Sequence, residues 1–559
     1  MIGAQSVGTM GGTASVPSSV LDGGWLRRVR PLWILLAIVA VNMTATIAGM
    51  RRTSPTFDEI VLVAGGARGW AGEAFDLAPD HPPLMQYIYG LPVHLSGVRL
   101  PSESPPEIRA APGFRYAYAR SFYYEVGNDP RRVSFLGRLP AVLIAMLLIV
   151  VAWHVTSRRW GPGAGLLAAA LVAFLPDVLA HGGVAYNDLP LALCYLLGVF
   201  AIDGAVRQPS PGRGALAGAV VGLGLGVKIS AAALVPTALI IIAMEALCRP
   251  RDVKWWSGLG VSVVTAAFAG YVVLAGIFLG DWDLSDFLYG MQYRYTHMTG
   301  GHGASAFLLG ERSATGWWYF FPVAFLFKTS AGLHLLLAVG VLALLRDAGG
   351  GWRPVLRSKL RAPVAGAAVF VAILLTSNLN IGFRYALPAV PLLCLIAAVG
   401  TARAWKSGQR PTRLLIGGAT VLAVLFPLSY YPNFLGFISE YGPGRDRNHY
   451  VLVDSSLDWG QGLMQLSEYL ERHGIDRVWL SYFGSGLPAA YGIDYEPLQS
   501  FFPLPPGREL GSTAEPGVLA ISATNLNGGY MPGDIFARFR DIEPDAVVAH
   551  SILIYRLRP

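Results

Sequence analysis

Long apolar runs separated by short polar loops make up most of the chain. The first extends from about Leu32 to Met50, and others follow at about 133–155, 161–180, 187–205, 214–228, 229–247, 256–280, 317–345, 362–378, 384–403 and 412–431. Each is close to the roughly 20 residues that a helix needs to cross a bilayer. Together they predict about eleven transmembrane helices. Leu84–Val98 is shorter and more amphipathic, and reads as a surface or re-entrant helix. After about residue 436 the pattern turns polar and alternates strand and helix signals. Tyr450–Val453, Arg477–Tyr482, Gly517–Ser522 and Ser551–Arg556 read as strands. Asp458-Trp459-Gly460-Gln461 reads as the capping box of a helix.

The fold class predicted is therefore a polytopic α-helical membrane protein with a small C-terminal extracytoplasmic α/β domain. Residues 1–30 form a polar N-terminal segment, disordered to about residue 24; residues 31–435 form the transmembrane domain, with a large first outer loop over 51–132; residues 436–559 form the α/β domain. The run after Arg27, Arg28 and Arg30 is too long for a signal-peptide core and reads as an uncleaved signal anchor.

Basic residues set the orientation. With the N-terminus in the cytoplasm, alternate loops carry Arg158/Arg159, Arg207/Arg213, Arg249/Arg251/Lys254, Arg346/Arg353/Arg357/Lys359/Arg361 and Arg403/Lys406/Arg410/Arg413. All of these fall on the cytoplasmic side, as the positive-inside rule requires. The same clustering removes nucleic acid as an explanation of the net charge of +8. At 53% hydrophobic and 14% charged residues, a soluble globule is excluded too. Cys194, Cys248 and Cys394 have no metal-type spacing, so neither a disulfide nor a zinc site is expected.

This topology sends a set of polar residues to the outer face of the membrane, where the chemistry is to be sought. Asp58-Glu59 follows the first span, and Pro79-Asp80-His81-Pro82-Pro83-Leu84 comes later in the same loop. Asp58 is the candidate base, since a carboxylate kept beside so much apolar helix is costly without a role. Glu59 either shares that role or completes a capping box with Thr56. Asp80 and His81 either contact substrate, His81 at a donor phosphate, or cap the following helix. Asn187 and Asp188 open a span on the same face. Asp188 either serves catalysis, by holding the acceptor or sharing a divalent metal with Asp58, or is an interfacial acid. Tyr293-Arg294-Tyr295 could cover a substrate or form an aromatic belt. Arg384 opens an outer-facing helix, where it binds a phosphate or snorkels to headgroups. Lys328 lies roughly 16 Å into its run at 1.5 Å per residue and either meets a phosphate or an acid, or snorkels.

An early outer-loop Asp58-Glu59, His81-Pro82-Pro83-Leu84, Tyr186-Asn187-Asp188-Leu189 and Gly382-Phe383-Arg384-Tyr385 together resemble the polyprenyl-phosphate-dependent glycosyltransferases of the GT-C fold. The nearest group is the family-39 type, which includes the protein O-mannosyltransferases and the lipid A aminoarabinose transferase. Asp454–Gln461 and Tyr482-Phe483-Gly484 resemble the C-terminal domain of bacterial members. The resemblance implies a membrane enzyme that moves a sugar from a polyprenyl-phosphate donor to an acceptor at the outer face of the plasma membrane, with inversion and with Asp58 as base. The long insert Pro101–Pro130 departs from the protein-modifying members, which leaves the acceptor open. Two other readings remain. A transporter or lipid flippase would use Lys328 and the run Gly222–Gly226 as a path, although the paired broken helices of transporters are not evident. A non-catalytic assembly protein would leave Asp58, Asp188 and Arg384 apart.

Overall fold

The structure is a computed structural model. It describes residues 24–73, 75, 77–102, 113–249, 252–299, 306–347, 358–501, 517–531 and 533–557. The N-terminal segment expected to be disordered, and part of the insert Pro101–Pro130, lie outside the described residues.

All the apolar runs are helical. Among the described residues, six helices are long and apolar enough to cross a membrane: Arg30–Met50, Pro130–Trp160, Asp188–Arg207, Ile229–Ala246, Val253–Ile277 and Arg410–Leu428. Pro162–Ala173, Pro211–Val227 and Arg361–Leu375 are shorter apolar helices. Small residues bring two of the helices together. Gly214, Gly218 and Gly222 face Ser262, Ala266 and Gly270, and a Cβ on Gly218 would lie 1.9 Å from the carbonyl oxygen of Ala266. Without a hydrophobic drive between helices in lipid, such close backbone approach is a main source of association.

The run at 317–345 is not one continuous helix. It divides into Phe320–Lys328 and Ala331–Asp347, bent by 111°. Thr329 is extended, and Glu440 caps the second helix by accepting hydrogen bonds from Ser330 Oγ and Ala331 N, each at 2.9 Å. An acid at a helix start satisfies free N–H groups and faces the positive end of the dipole.

Basic residues from alternate loops gather at one end of the bundle. Buried Asp203 receives Arg159 at 3.1 Å, Arg207 at 2.9 Å and Arg361 at 3.0 Å. Glu245 pairs with Arg249 at 2.7 Å and also with Arg361. The loops expected to share a membrane face therefore meet.

At the other end, the first loop folds into helices Glu59–Trp70, Leu84–His94 and Phe114–Tyr124. The second buries Met85, Tyr89 and Val93 in a separate apolar cluster. The C-terminal part carries a five-stranded mixed sheet. Val478–Ser481 lies parallel to Tyr495–Pro497 on one side and to Gly517–Ser522 on the other. Ile552–Leu557 then pairs antiparallel with Gly517–Ser522 and with Ala546–Val548. An apolar cluster packs on each face.

Two expectations here need correction. Tyr450–Val453 is not a strand: a 3-10 turn over Arg445–Tyr450 precedes it, and Val451 N bonds back to Asn448 O. Asp458 does not cap the helix that follows it in sequence. The helix starts at Leu463, while Asp458 Oδ2 accepts from Thr524 N at 3.0 Å and Gln461 Oε1 accepts from Trp459 N at 2.8 Å.

Burial pushes the Asp458 carboxyl up from 3.8 to about 7. The folded chain then holds a proton that the unfolded chain releases, so this group costs stability as pH rises from about 4 towards about 7. Asp458→Asn keeps an acceptor oxygen for Thr524 and removes the charge. Melting in detergent at pH 5 and pH 8 should show a smaller loss of Tm at the higher pH for Asp458→Asn than for wild type. Equal losses would contradict this reading.

Candidate active site

Arg384 lies in a 3-10 turn, Phe383–Ala386, ahead of the helix Val390–Ser407, and is buried rather than reaching for lipid. Its guanidinium is held on several sides. Nη1 is 3.3 Å from Asp188 Oδ2 and Nη2 is 3.6 Å from Asp58 Oδ2. Nε donates to Ser455 Oγ at 3.0 Å. The rings of Trp459, Tyr186 and Tyr385 lie 4.3, 4.8 and 5.0 Å from the guanidinium carbon. Aromatic faces and carboxylates together replace the water that such a cation loses.

The two acids differ in access. Asp188 is 1% exposed; its other oxygen takes Lys228 Nζ, which also lies 4.6 Å over the Tyr385 ring. Asp58 keeps 24% of its side chain exposed, and its Oδ1 accepts from Tyr116 Oη at 3.0 Å. Of the two, Asp58 is the one a substrate hydroxyl can reach. Two acids and two bases cancel here, so an arriving phosphate needs a further cation.

Asp80 and His81 sit alongside. Asp80 pairs with Arg115 at 2.8 Å, and His81 Nε2 is 3.2 Å from Tyr186 Oη. Burial opposes the charge on Asp80, but His81, Arg115 and Arg294 outweigh it and hold the carboxyl at about 2. Burial lowers His81 to about 4, so its ring is neutral at pH 7. Arg294 lies in the helix Ser285–Thr299, whose Gly290 rests on Pro79: a Cβ there would be 2.4 Å from the Pro79 carbonyl oxygen. Its charge is felt at Asp80, His81, Lys228 and Tyr385. Arg294 is half-buried and makes no ion pair among the described residues, and Tyr293 beside it is exposed.

Three sequence-predicted residues have other tasks. Glu59 is fully buried in a fork with Arg138, at 2.7 Å from Nε and 2.8 Å from Nη2. It also accepts from Ala185 N at 3.0 Å and from Thr56 N at 2.9 Å, the capping-box bond expected as its alternative role, so both oxygens are used and the catalytic alternative is corrected to a structural acid. Lys328 ends the short helix before the bend. It gives its three protons to the carbonyls of Leu435, Phe437 and Ser456 at 2.8, 3.1 and 2.8 Å and lies 3.9 Å from Asp177 Oδ2, so of its two expected partners it meets an acid and leaves the phosphate-binding set. Asn187 is fully buried, and its Nδ2 donates to Val227 O at 2.7 Å. A metal shared by Asp58 and Asp188 does not match the arrangement, because the Arg384 guanidinium lies between their carboxylates.

Tyr116, Tyr186, Ser455 and Trp459 were not among the site residues expected from the sequence. Lys228 left a usable signal, a lone lysine at a tight turn between two apolar runs. Tyr116 left none, since its partner Asp58 is distant in sequence, whereas Tyr186, Ser455 and Trp459 lie within the stretches Tyr186–Leu189 and Asp454–Gln461 that carry the family resemblance without being singled out.

In sequence, the family model described as dolichyl-phosphate-mannose-protein mannosyltransferase matches residues 116–273, a stretch that holds Tyr116, Asp188 and Lys228. No curated protein matches the chain. In shape, the chain is similar to the crystal structure of ArnT from Cupriavidus metallidurans bound to undecaprenyl phosphate, with a TM-score of 0.47 and 12% identity over 95% of this chain and 98% of that one. Its apo state gives a TM-score of 0.48 and 13% identity over 93% and 97%. The family match agrees with the resemblance read from the sequence.

Removing one partner of a buried ion pair costs roughly 3–5 kcal/mol, whereas removing both can be nearly neutral. Glu59→Gln and Arg138→Met should therefore each lower Tm in detergent, and the double variant Glu59→Leu/Arg138→Met should recover part of the loss. An unchanged Tm with abolished activity in Glu59→Gln would return Glu59 to the catalytic group.

Proposed function

We propose that this chain is a multi-pass membrane glycosyltransferase that moves a hexosyl or pentosyl group from a polyprenyl-phosphate donor to an acceptor hydroxyl. The observation that carries this reading is Asp58, a partly exposed carboxylate held by Tyr116 and Arg384, with the cation of Arg294, which makes no ion pair among the described residues, acting on the neighbouring His81. The family match over residues 116–273 supports the class.

The donor phosphate takes Arg294, with Arg384 and Lys228 as further positive charge and Tyr293 at the rim. Asp58 accepts the proton of the acceptor hydroxyl as its oxygen bonds to the anomeric carbon. The bond from that carbon to the phosphate oxygen breaks, and the phosphate leaves with the electron pair on the opposite face, inverting the centre. Phosphate is a good leaving group, so no general acid is needed. Neutral His81 and Asp80 sit beside the donor. The site lies at the outer face of the plasma membrane, with the N-terminus cytoplasmic and the C-terminal domain extracytoplasmic. The arginine cluster around Asp203, at the other end of the bundle, supports that orientation.

The transporter reading loses its two supports. Lys328 is spent on backbone carbonyls, and the Gly222–Gly226 run is filled by neighbours: Gly222 faces Gly270 and Gly226 faces Ile277.

The test is transfer from radiolabelled polyprenyl-phosphate sugars in membranes that express the chain. Wild type should move label to an acceptor. Asp58→Asn should lose on the order of 10²–10⁴-fold in rate, the usual contribution of a general base. Arg294→Ala should raise the donor KM by about 10–100-fold, the value of a hydrogen bond to a charged group. Full activity in Asp58→Asn would remove the base, and solute movement in liposomes without sugar transfer would favour a transporter.

A further inference from the structure

We infer that the segment Asp454–Gln461 of the C-terminal domain is a working part of the active site, with Ser455 and Trp459 as positioning residues for Arg384 and, through it, for Asp58 and Asp188. The inference rests on the transferase reading above and adds to it a requirement for the extracytoplasmic domain in the chemical step.

The segment grips the site from two directions. On one side it holds the Arg384 turn. Ser455 Oγ accepts from Arg384 Nε at 3.0 Å, the Trp459 ring lies 4.3 Å beneath the guanidinium, and Ser456 Oγ accepts from Phe383 N at 3.0 Å. On the other side it holds the backbone that leads to Asp58. Phe57 N donates to Trp459 O at 2.8 Å, Ser54 N to Gln461 O at 3.0 Å and Ser54 Oγ to Gly460 O at 2.9 Å. The residue before the candidate base and the residue before its arginine partner are thus both bonded to one short stretch of chain.

Ser455 is oriented for this task. Its single hydroxyl proton goes to Ile381 O at 3.0 Å, so towards Arg384 the oxygen can only accept. The approach is close enough to need a bare Cα: a Cβ on Gly382 would lie 2.1 Å from Ser455 Oγ.

Docking alone does not call for this arrangement. A domain that merely rests on the membrane part can bury apolar surface. Here Asp454, Ser455, Ser456, Asp458 and Gln461 are all buried, each at a desolvation cost that must be met by a hydrogen bond. Asp454 also holds φ at 53°, a left-handed conformation uncommon outside glycine, with its carboxylate bonded to Ser455 N and Tyr530 Oη. Strain of this kind persists where surrounding structure over-determines it, and it clusters at functional sites.

The test uses the purified full-length protein and a polyprenyl-phosphate sugar that wild type transfers, with kcat and KM measured per folded enzyme beside Tm. Ser455→Ala should lower kcat by about 10-fold or more, as expected for one lost hydrogen bond to a charged group. Trp459→Leu should lower kcat, and Trp459→Phe, which keeps a ring under the guanidinium, should restore most of it. Because Ser455 acts through Arg384, Ser455→Ala should cost less than about 2-fold further in an Arg384→Ala background, the non-additivity of groups that act as a unit. Arg447→Ala, which breaks an exposed pair with Glu543 elsewhere in the domain, should leave kcat unchanged. Equal fold losses for Ser455→Ala in both backgrounds, or a loss tracking only the amount of folded protein, would overturn the positioning role. Absence of transfer by wild type would instead overturn the transferase reading, and this inference with it.

Discussion

One buried guanidinium organises the end of the bundle opposite the Asp203 cluster. Arg384 is cut off from water, and a charge in that position is tolerated only if carboxylates, hydrogen-bond acceptors and aromatic faces replace its hydration. Meeting that need draws in parts of the chain far apart in sequence. Asp58 comes from the first loop, Asp188 from a helix start, Lys228 from a turn between helices, and Ser455 and Trp459 from the C-terminal part. In the proposed reaction the partner set that stabilises the arginine is also the set that meets the substrate, so fold and chemistry would share one constraint.

Charge is sorted between the two ends of the bundle. The Asp203 and Glu245 cluster is closed, with both acids buried under several arginines. The Arg384 cluster differs because Asp58 stays partly open and Arg294 lacks a partner among the described residues. An open acid beside spare positive charge can accept a substrate, whereas the closed cluster can only hold helices in register. The broken helix at Thr329 serves the same end. It places Lys328 where its protons bond the carbonyls of Leu435, Phe437 and Ser456, fastening the C-terminal part to the bundle just behind Arg384.

Much of this was legible in the sequence, for reasons of period and side. Apolar runs announce helices because bilayer thickness fixes their length, and alternating basic loops announce which polar residues share a face. That logic brought Asp58, Asp188 and Arg384 together correctly. It failed where a partner lay far along the chain. For Glu59 the sequence offered two roles, and the capping-box bond to Thr56 N is present, whereas its ion-pair partner Arg138, 79 residues away inside an apolar run, was not foreseen. An arginine in such a run is itself a signal of a buried partner. The run at 317–345 looked continuous because its bend depends on Glu440, and the Asp458 motif mimicked a cap because its carboxylate serves Thr524 instead.

The most direct test of the account is a structure of the purified protein with a non-transferable phosphonate analogue of a polyprenyl-phosphate sugar. The account predicts the phosphonate within hydrogen-bond distance of Arg294, with the anomeric carbon facing Asp58. A phosphonate bound with Arg294 and Asp58 both remote from it would contradict the assignment of this cluster as the active site.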